Sequence, residues 1–240
     1  MMRNILKKLS RKLGLFNALR YTGIRLQAAT GRVHDAEYFH LPSHLDGGVL
    51  IDVGANLGQS IVSLHKLFPR SNIIAFEPNP ACKELLSYFS LSMKKSLMVY
   101  HVGLGDFDGE LTFSVPELED GIKLLQEGSF DQTVFFESVT IKRIREPFKL
   151  HKIPIPIQRL DDYCLNPSLI KIDVQGFEMQ VLYGAAQTIA RSRPVLLLER
   201  DRRTEEKIKS FMDGFGYQSL TLHLNIIYFP DPDPDPDPEA

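Results

Sequence analysis

The stretch Val49-Leu50-Ile51-Asp52-Val53-Gly54-Ala55-Asn56-Leu57-Gly58 decides how this 240-residue chain is read. Its first half is apolar and β-branched, the composition of a parallel strand buried on both faces. The run then breaks into glycine, and Ile61, Leu64 and Phe68 follow at helical spacing. The order is strand, glycine turn, helix. Gly54 and Gly58 lack a Cβ, so the backbone can turn sharply and a ligand can lie against it. The helix start offers backbone N–H groups without intrahelical partners. Asp52 falls at the carboxyl end of the strand, where open α/β sheets place their ligands.

A second short buried strand reads over residues 72–76 and ends at Glu77, nineteen residues after Gly58. That is one helix plus one strand, the offset at which a nucleotide-binding sheet sets a carboxylate on ribose hydroxyls. The glycine pattern is not the dinucleotide one. Gly54-Ala-Asn-Leu-Gly58 is one residue short of G-x-G-x-x-G, and Asn56 replaces the middle glycine that lets a pyrophosphate approach. A nucleoside without phosphates has no such need. The ligand that fits is S-adenosylmethionine (SAM), its amino-acid end at the turn holding Gly54, Asn56 and Gly58 and its ribose at Glu77.

Working outward, residues 97–102 form the next strand, which ends in Gly103-Leu104-Gly105-Asp106. Glycine and acid at this strand end read either as the flank of an adenine or as a simple turn. Residues 110–115 alternate like a strand. Residues 116–152 are irregular, with acids, aromatics and the basic Lys142, Arg143 and Arg145; long irregular segments in compact domains are often binding loops, and the other reading is a surface insertion. Ile153-Pro-Ile-Pro-Ile157 predicts an extended edge segment, because two prolines remove ladder donors. Residues 169–174 are the second strong strand. It ends in Asp173, and Gln175-Gly176-Phe177-Glu178 leads into one helix bearing Val181, Leu182, Ala185 and Ile189. If this strand neighbours the first, Asp173 and Glu178 overlook the same cleft as Asp52. Otherwise Asp173 is a helix cap and Glu178 a first-turn acid that complements the helix dipole. A buried strand over residues 194–198 ends at Glu199, a polar helix follows over 204–212, and residues 216–222 with 225–229 predict a closing antiparallel pair.

Composition is that of an ordinary globular protein, and the length suits one sizeable domain. Cys82 and Cys164 are far apart and lack metal-type spacing, so they read as reduced thiols. No apolar run approaches the roughly 20 residues that span a bilayer. The net charge of −2 hides an asymmetry: residues 1–34 hold eight Lys/Arg and no acid, residues 231–240 five acids and no base, which leaves the body at −5. An acidic body argues against nucleic acid as a partner. The expected organisation is a basic helical extension (1–34), an α/β domain (35–230) and a disordered Asp-Pro tail (231–240). Residues 3–20 pattern as a basic amphipathic helix, which either contacts an anionic membrane surface peripherally or caps the domain. His34, His40 and His44 crowd one pre-strand segment; without cysteines or a second cluster they read as solvated loop residues rather than metal ligands.

Three stretches together resemble one family: Ile51-Asp-Val-Gly-Ala-Asn-Leu-Gly58, Ala75-Phe-Glu-Pro-Asn-Pro80, and Leu169-Ile-Lys-Ile-Asp-Val-Gln-Gly-Phe-Glu178 with Val181-Leu-Tyr-Gly-Ala185. Leu160-Asp161 and Arg193-Pro194 to Glu199 fit the same pattern. The set resembles the FkbM family of SAM-dependent methyltransferases over residues 49–229. The resemblance implies a doubly wound, seven-stranded, mostly parallel sheet with an antiparallel closing strand. It implies O-methyl transfer to a hydroxyl of a sugar, glycolipid or related natural product; the expected place, the cytoplasm or the inner face of a membrane, comes from the reduced thiols and the basic helix instead. By position it places Asp52, Gly54 and Gly58 on the methionine part of SAM, Glu77 on the ribose, and Gly105 and Asp106 near the adenine. Gln175 departs from the family's usual Asp-x-Glu-Gly-x-Glu and leaves any proton-accepting role to Asp173 and Glu178. A sugar hydroxyl attacks only as its proton leaves, so a carboxylate about 3 Å away can serve as general base: Asp173 first, Glu178 second, then a histidine of 34–44. A divalent metal held by Asp173 and Glu178 would lower the hydroxyl pKa instead. Two other functions share these residues: a silent SAM-binding module of the same fold, and a nicotinamide-dependent oxidoreductase, which the missing middle glycine disfavours.

Overall fold

A computed structural model of the chain describes residues 32–93, 96–118 and 147–232, with residues 22–24, 26, 27, 30, 121, 124 and 128–130. The basic helix expected at 3–20, the basic residues 142, 143 and 145 and the tail from 233 lie outside the described residues.

Ten strands are described: β1 (Val49–Val53), β2 (Asn72–Phe76), β3 (Leu97–Tyr100), β4 (Gly103–Leu104), β5 (Gly109–Leu118), β6 (Phe148–Gln158), β7 (Leu169–Ile172), β8 (Val195–Glu199), β9 (Tyr217–Thr221) and β10 (Asn225–Pro230). From residue 32 onward the α-helices described are α1 (Gln59–Leu67), α2 (Lys83–Met93), α3 (Glu178–Tyr183), α4 (Ala186–Ser192) and α5 (Glu205–Asp213). Seven strands form the main sheet in the order β3-β2-β1-β7-β8-β10-β9. The β1–β2, β2–β3, β1–β7 and β7–β8 ladders are parallel, and β10 runs antiparallel to both neighbours. The expected mostly parallel sheet and its antiparallel closing pair are both present.

Each central strand is buried on both faces, so its apolar residues feed two cores in alternation. Leu50, Leu169 and Leu197 join Ile61, Leu64 and Phe89 of α1 and α2 on one face. Ile51, Ile170 and Leu198 join Val181, Leu182, Ile189 and Ile208 of α3, α4 and α5 on the other. The chain winds outward from β1 through β2 and β3, then returns to place β7 on the other side of β1. That reversal opens a crevice beyond the carboxyl ends of β1 and β7, the position where such sheets bind ligands.

Two local outcomes differ from the sequence reading. The Ile-Pro-Ile-Pro-Ile stretch is extended as expected but is not confined to an edge: it is part of the eleven-residue β6, the middle strand of a three-stranded sheet, paired with β5 along its length and with β4 at Ile157–Gln158. The Gln158 carbonyl accepts from the Gly105 N–H, so even-numbered residues of β6 face β4. Pro154 and Pro156 therefore turn their donor-less nitrogens to the side that β4 leaves open, and their rings are exposed. Ile155 meanwhile packs on Phe113 and Val115. The helix expected after Glu178 is two helices, broken at Gly184-Ala185. A Cβ on Gly184 would lie 1.7 Å from the Gly105 carbonyl oxygen, and Asp161 accepts from the N–H groups of Gln187 and Thr188 to start the second. Toward the ends of the described residues, Ile24 is buried in the first core, and the Asp231 N–H donates to the Gly216 carbonyl while Arg193 donates to the Asp231 carbonyl.

Candidate active site

The glycine turn after β1 is a run of left-handed residues. Gly54, Asn56 and Gly58 have φ of 78°, 49° and 86°. Both Gly54 and Ala55 donate to the Phe76 carbonyl, which pins the turn to β2. A Cβ at Gly54 would lie 1.9 Å from the Asp173 carbonyl oxygen. The turn thus packs directly on the segment after β7, and only glycine allows it. Gly54→Ala is expected to lower the melting temperature clearly, because the left-handed φ alone costs about 1–2 kcal/mol before the clash is counted. A variant that melts with the parent would contradict this packing.

Glu77 leaves the end of β2 and is 5% exposed. Its carboxylate accepts from the Asn56 N–H at 2.6 Å and the Asn79 N–H at 2.7 Å. Burial pushes its pKa up to about 7, against those two hydrogen bonds. Each carboxylate oxygen keeps lone pairs for further donors, and the side chain lines the crevice with Gly54, Asn56 and Pro78.

Under the turn lies a buried ion pair. Asp52 and Lys171 are register partners across β1 and β7, so their side chains emerge on the same face. Lys171 Nζ stands 3.0 Å from Asp52 Oδ1 and 3.6 Å from Asp173 Oδ2, and donates to the Gly54 carbonyl at 3.1 Å. Burial opposes the charge on Lys171, but Asp52 and Asp173 outweigh it and raise its pKa. Asp52 is fully buried and also accepts a short hydrogen bond from the Ser60 hydroxyl of α1.

At the mouth, Asp173 keeps 39% of its side chain exposed. Burial works against its charge, yet Lys171 and hydrogen bonds with Glu199 and Gln175 hold the carboxyl below the usual range. Gln175 adopts φ 55°, and its amide donates to Asp173 at 3.0 Å and to Glu199 at 2.7 Å. Glu178 is 1% exposed, accepts from the N–H groups of Val174 and Gly176, and thereby fixes this turn; burial raises its pKa. The opposite wall is aromatic: Phe130 packs between Phe113 of β5 and Phe177, with ring centroids 5.0 and 5.4 Å apart.

Of the residues singled out from sequence, Gly54, Asn56, Glu77 and Asp173 line the crevice. Asp52 sits below the turn. Gly58 faces α2, where a Cβ would meet the Phe89 ring at 2.9 Å. Gly105 is wedged against Ile157 and Phe177, and Asp106 is exposed; the wall on that side is built by Val102, Gly103 and Leu104. Glu178 does not line the crevice; its carboxylate is held by the Val174 and Gly176 N–H groups, within electrostatic reach of Asp173, and no cluster of three metal-binding side chains occurs among the described residues. His34 bonds the Ser63 hydroxyl through Nδ1 at 2.8 Å, and His40 the Glu37 carbonyl at 3.2 Å. Sequence reasoning missed Lys171 and Glu199. Both left a signal: a lysine inside the apolar run Leu-Ile-Lys-Ile requires a buried counter-charge, and Glu199 ends a strand just as Glu77 does.

A seven-stranded doubly wound sheet with one reversed strand, and a ligand crevice at the β1–β7 switch, define the class I methyltransferase fold. A family profile described as a methyltransferase FkbM domain matches residues 52–224, and the chain belongs to that family. A solved FkbM methyltransferase from Methylobacillus flagellatus shares the fold, with a TM-score of 0.54 at 17% identity, over 81% of this chain and 50% of that one. The 2-O-methyltransferase NoeI of Sinorhizobium fredii is 25% identical over 60% of each chain. The hexuronic acid methyltransferase AglP of Haloferax volcanii is 28% identical over 59% of this chain and 51% of its own. The matched region thus spans a half to two-thirds of the curated relatives' length. Among the described residues no helix is long and apolar enough to cross a membrane.

Proposed function

We propose that this chain methylates a hydroxyl of a sugar, glycolipid or related natural product with SAM as methyl donor. The observation that carries the reading is Glu77, buried at the end of β2 among the residues that line a crevice beside a glycine turn, its carboxylate fixed there by the Asn56 and Asn79 N–H groups. Its free lone pairs suit two ribose hydroxyls. Gly54 and Asn56 offer backbone to the amino-acid end, and Val102, Gly103 and Leu104 an apolar wall to the adenine. Asp52 and Gly58 shape the turn from below, and Gly105 and Asp106 act through the wall they extend. Asn56 occupies the place where a dinucleotide needs a bare glycine, which speaks against NAD. The names of NoeI and AglP, a 2-O-methyltransferase and a hexuronic acid methyltransferase, agree with a carbohydrate acceptor.

When bound, SAM supplies a methyl made electrophilic by its sulfonium. The protein must then hold an acceptor oxygen in line with it, a task worth many kcal/mol, and take the hydroxyl proton. Asp173 stands at the mouth, ionised and part-exposed, and is the proposed base. Glu178 holds the turn that aims it. The 34–44 segment is tied to the turn before β10 through Glu37, which accepts from the Leu224 N–H and the Asn225 amide.

Calorimetry with SAM tests the cofactor, and transfer of labelled methyl into a glycan or glycolipid extract tests the reaction. Glu77→Ala removes charge-assisted hydrogen bonds worth roughly 1.5–3 kcal/mol each, so SAM affinity is expected to fall at least tenfold. Hydroxyl donors favour the ionised carboxylate, so affinity should rise with pH up to about 7, where Glu77 titrates, and then level off. Glu77→Gln should flatten that dependence. Affinity unchanged within twofold in Glu77→Ala, or tight NAD binding by the parent, would sink the assignment.

A further inference from the structure

The parallel register of β7 and β8 sets Ile172 beside Leu198, so the next residues, Asp173 and Glu199, emerge side by side at the mouth. Two carboxylates in contact cannot both ionise cheaply. The cation nearest them, Lys171, is shared between Asp52 at 3.0 Å and Asp173 at 3.6 Å. Arg200, next to Glu199 in the chain, is committed to Glu205 at 3.0 Å. Asn225, which pairs with Glu199 across β10, donates instead to Asp35 and Glu37. What bridges the two acids is a neutral amide: Gln175 Nε2 reaches both at 3.0 and 2.7 Å. Its left-handed turn is fixed by Glu178 and by the Ser129 hydroxyl, which donates to the Gln175 carbonyl at 2.9 Å.

We propose that Asp173 and Glu199 work as one unit holding a single proton, with Gln175 as the positioning residue that keeps them together. This rests on the methyl-transfer reading for its purpose but not for its test. In the resting pair Glu199 holds the proton and Asp173 the charge. As the acceptor oxygen bonds to the methyl carbon, the S–C electron pair stays on sulfur and the acceptor's O–H proton passes to Asp173. The pair, now with two protons, returns to one by releasing the other to water through the half-buried Glu199. The state of the pair agrees with its surroundings: burial, the Asp173 charge and the hydrogen bond with Asp173 push Glu199 up to about 9. Besides Lys171, the charged and titratable groups that face the pair are Asp52 from β1, Glu178 from α3, and His34, Asp35 and Tyr38 from the segment before β1.

The full chain labelled with ¹³C at glutamate carboxyls and titrated by NMR from about pH 5 to about pH 10 reads this directly. One glutamate is expected to titrate near 9, where Glu199 is placed, and Glu199→Gln should delete that transition. Absence of any glutamate titrating above about pH 8, or its survival in Glu199→Gln, overturns the pair. If Glu199→Gln does not fold, Asp173→Asn should move the same transition toward the ordinary range; no movement overturns the pair equally. Gln175→Ala removes a donor to the ionised forms and should raise the proton affinity of Glu199 about tenfold; an unchanged midpoint overturns the positioning role. Neither SAM nor acceptor is needed, so failed SAM binding would sink the methyl-transfer reading and leave this result standing.

Discussion

Lys171→Met is expected to cost about 3–5 kcal/mol of stability, the usual penalty for breaking a buried ion pair from one side. Lys171 is 5% exposed and Asp52 fully buried, so the substitution leaves a carboxylate without its cation and the Gly54 carbonyl without its donor. Part of the loss should return in the double variant Asp52→Asn/Lys171→Met, because a neutral amide needs no counter-charge. Denaturant unfolding of the four proteins in the cycle measures this. A single-variant loss below about 1 kcal/mol would mean that the pair is solvated and does not hold the turn. The folded pKa of Lys171 is raised, so its contribution is fully present below the unfolded value of about 10.4 and is lost only as pH rises beyond it. The pair therefore operates unchanged across the neutral range.

Asp173→Asn is expected to lower turnover by about 10²–10⁴-fold, the usual contribution of a general base, while SAM affinity stays near the parent's. The amide keeps the shape, and its oxygen can still accept from Gln175, but it cannot take a proton. Because a base acts only in the transition state, kcat and kcat/KM should fall together. Full turnover in this variant would remove Asp173 from the chemistry. Lost folding would make it a structural residue of the β7 turn. Chelation followed by Mg²⁺ rescue of the parent enzyme would replace the simple base with a metal-assisted one.

Much of this architecture was legible locally. Buried parallel strands, glycine turns and amphipathic helices have periods of two and 3.6 residues, which short windows of sequence display. That is why β1, β2, β7 and β8, their order, and the acids at their ends could be read directly. Glu77 was legible for the same reason: its place depends only on one strand, one turn and one helix in succession. The Ile-Pro-Ile-Pro-Ile stretch misled because proline's missing donor matters only on the side that has a partner, and the side is set by pairing with β4 and β5.

The sequence by itself thus determined the class of fold, the strand ends that face the crevice, and the glycine turn beside it. Tertiary structure decided which of those strand-end groups reach the crevice. Lys171 and the Gly54 carbonyl are 117 residues apart and meet only because β7 lies beside β1 in one particular register. The same register sets Asp173 against Glu199 and lets Gln175 join them. Glu178, equally acidic and five residues from Asp173, is withdrawn because the turn's backbone N–H groups claim its carboxylate. Gly105 is packed against Ile157 and Phe177, and its carbonyl leaves Gly184 room for nothing larger. Side chains are brought together by ladder register and core packing between distant segments, and neither is encoded in local periodicity.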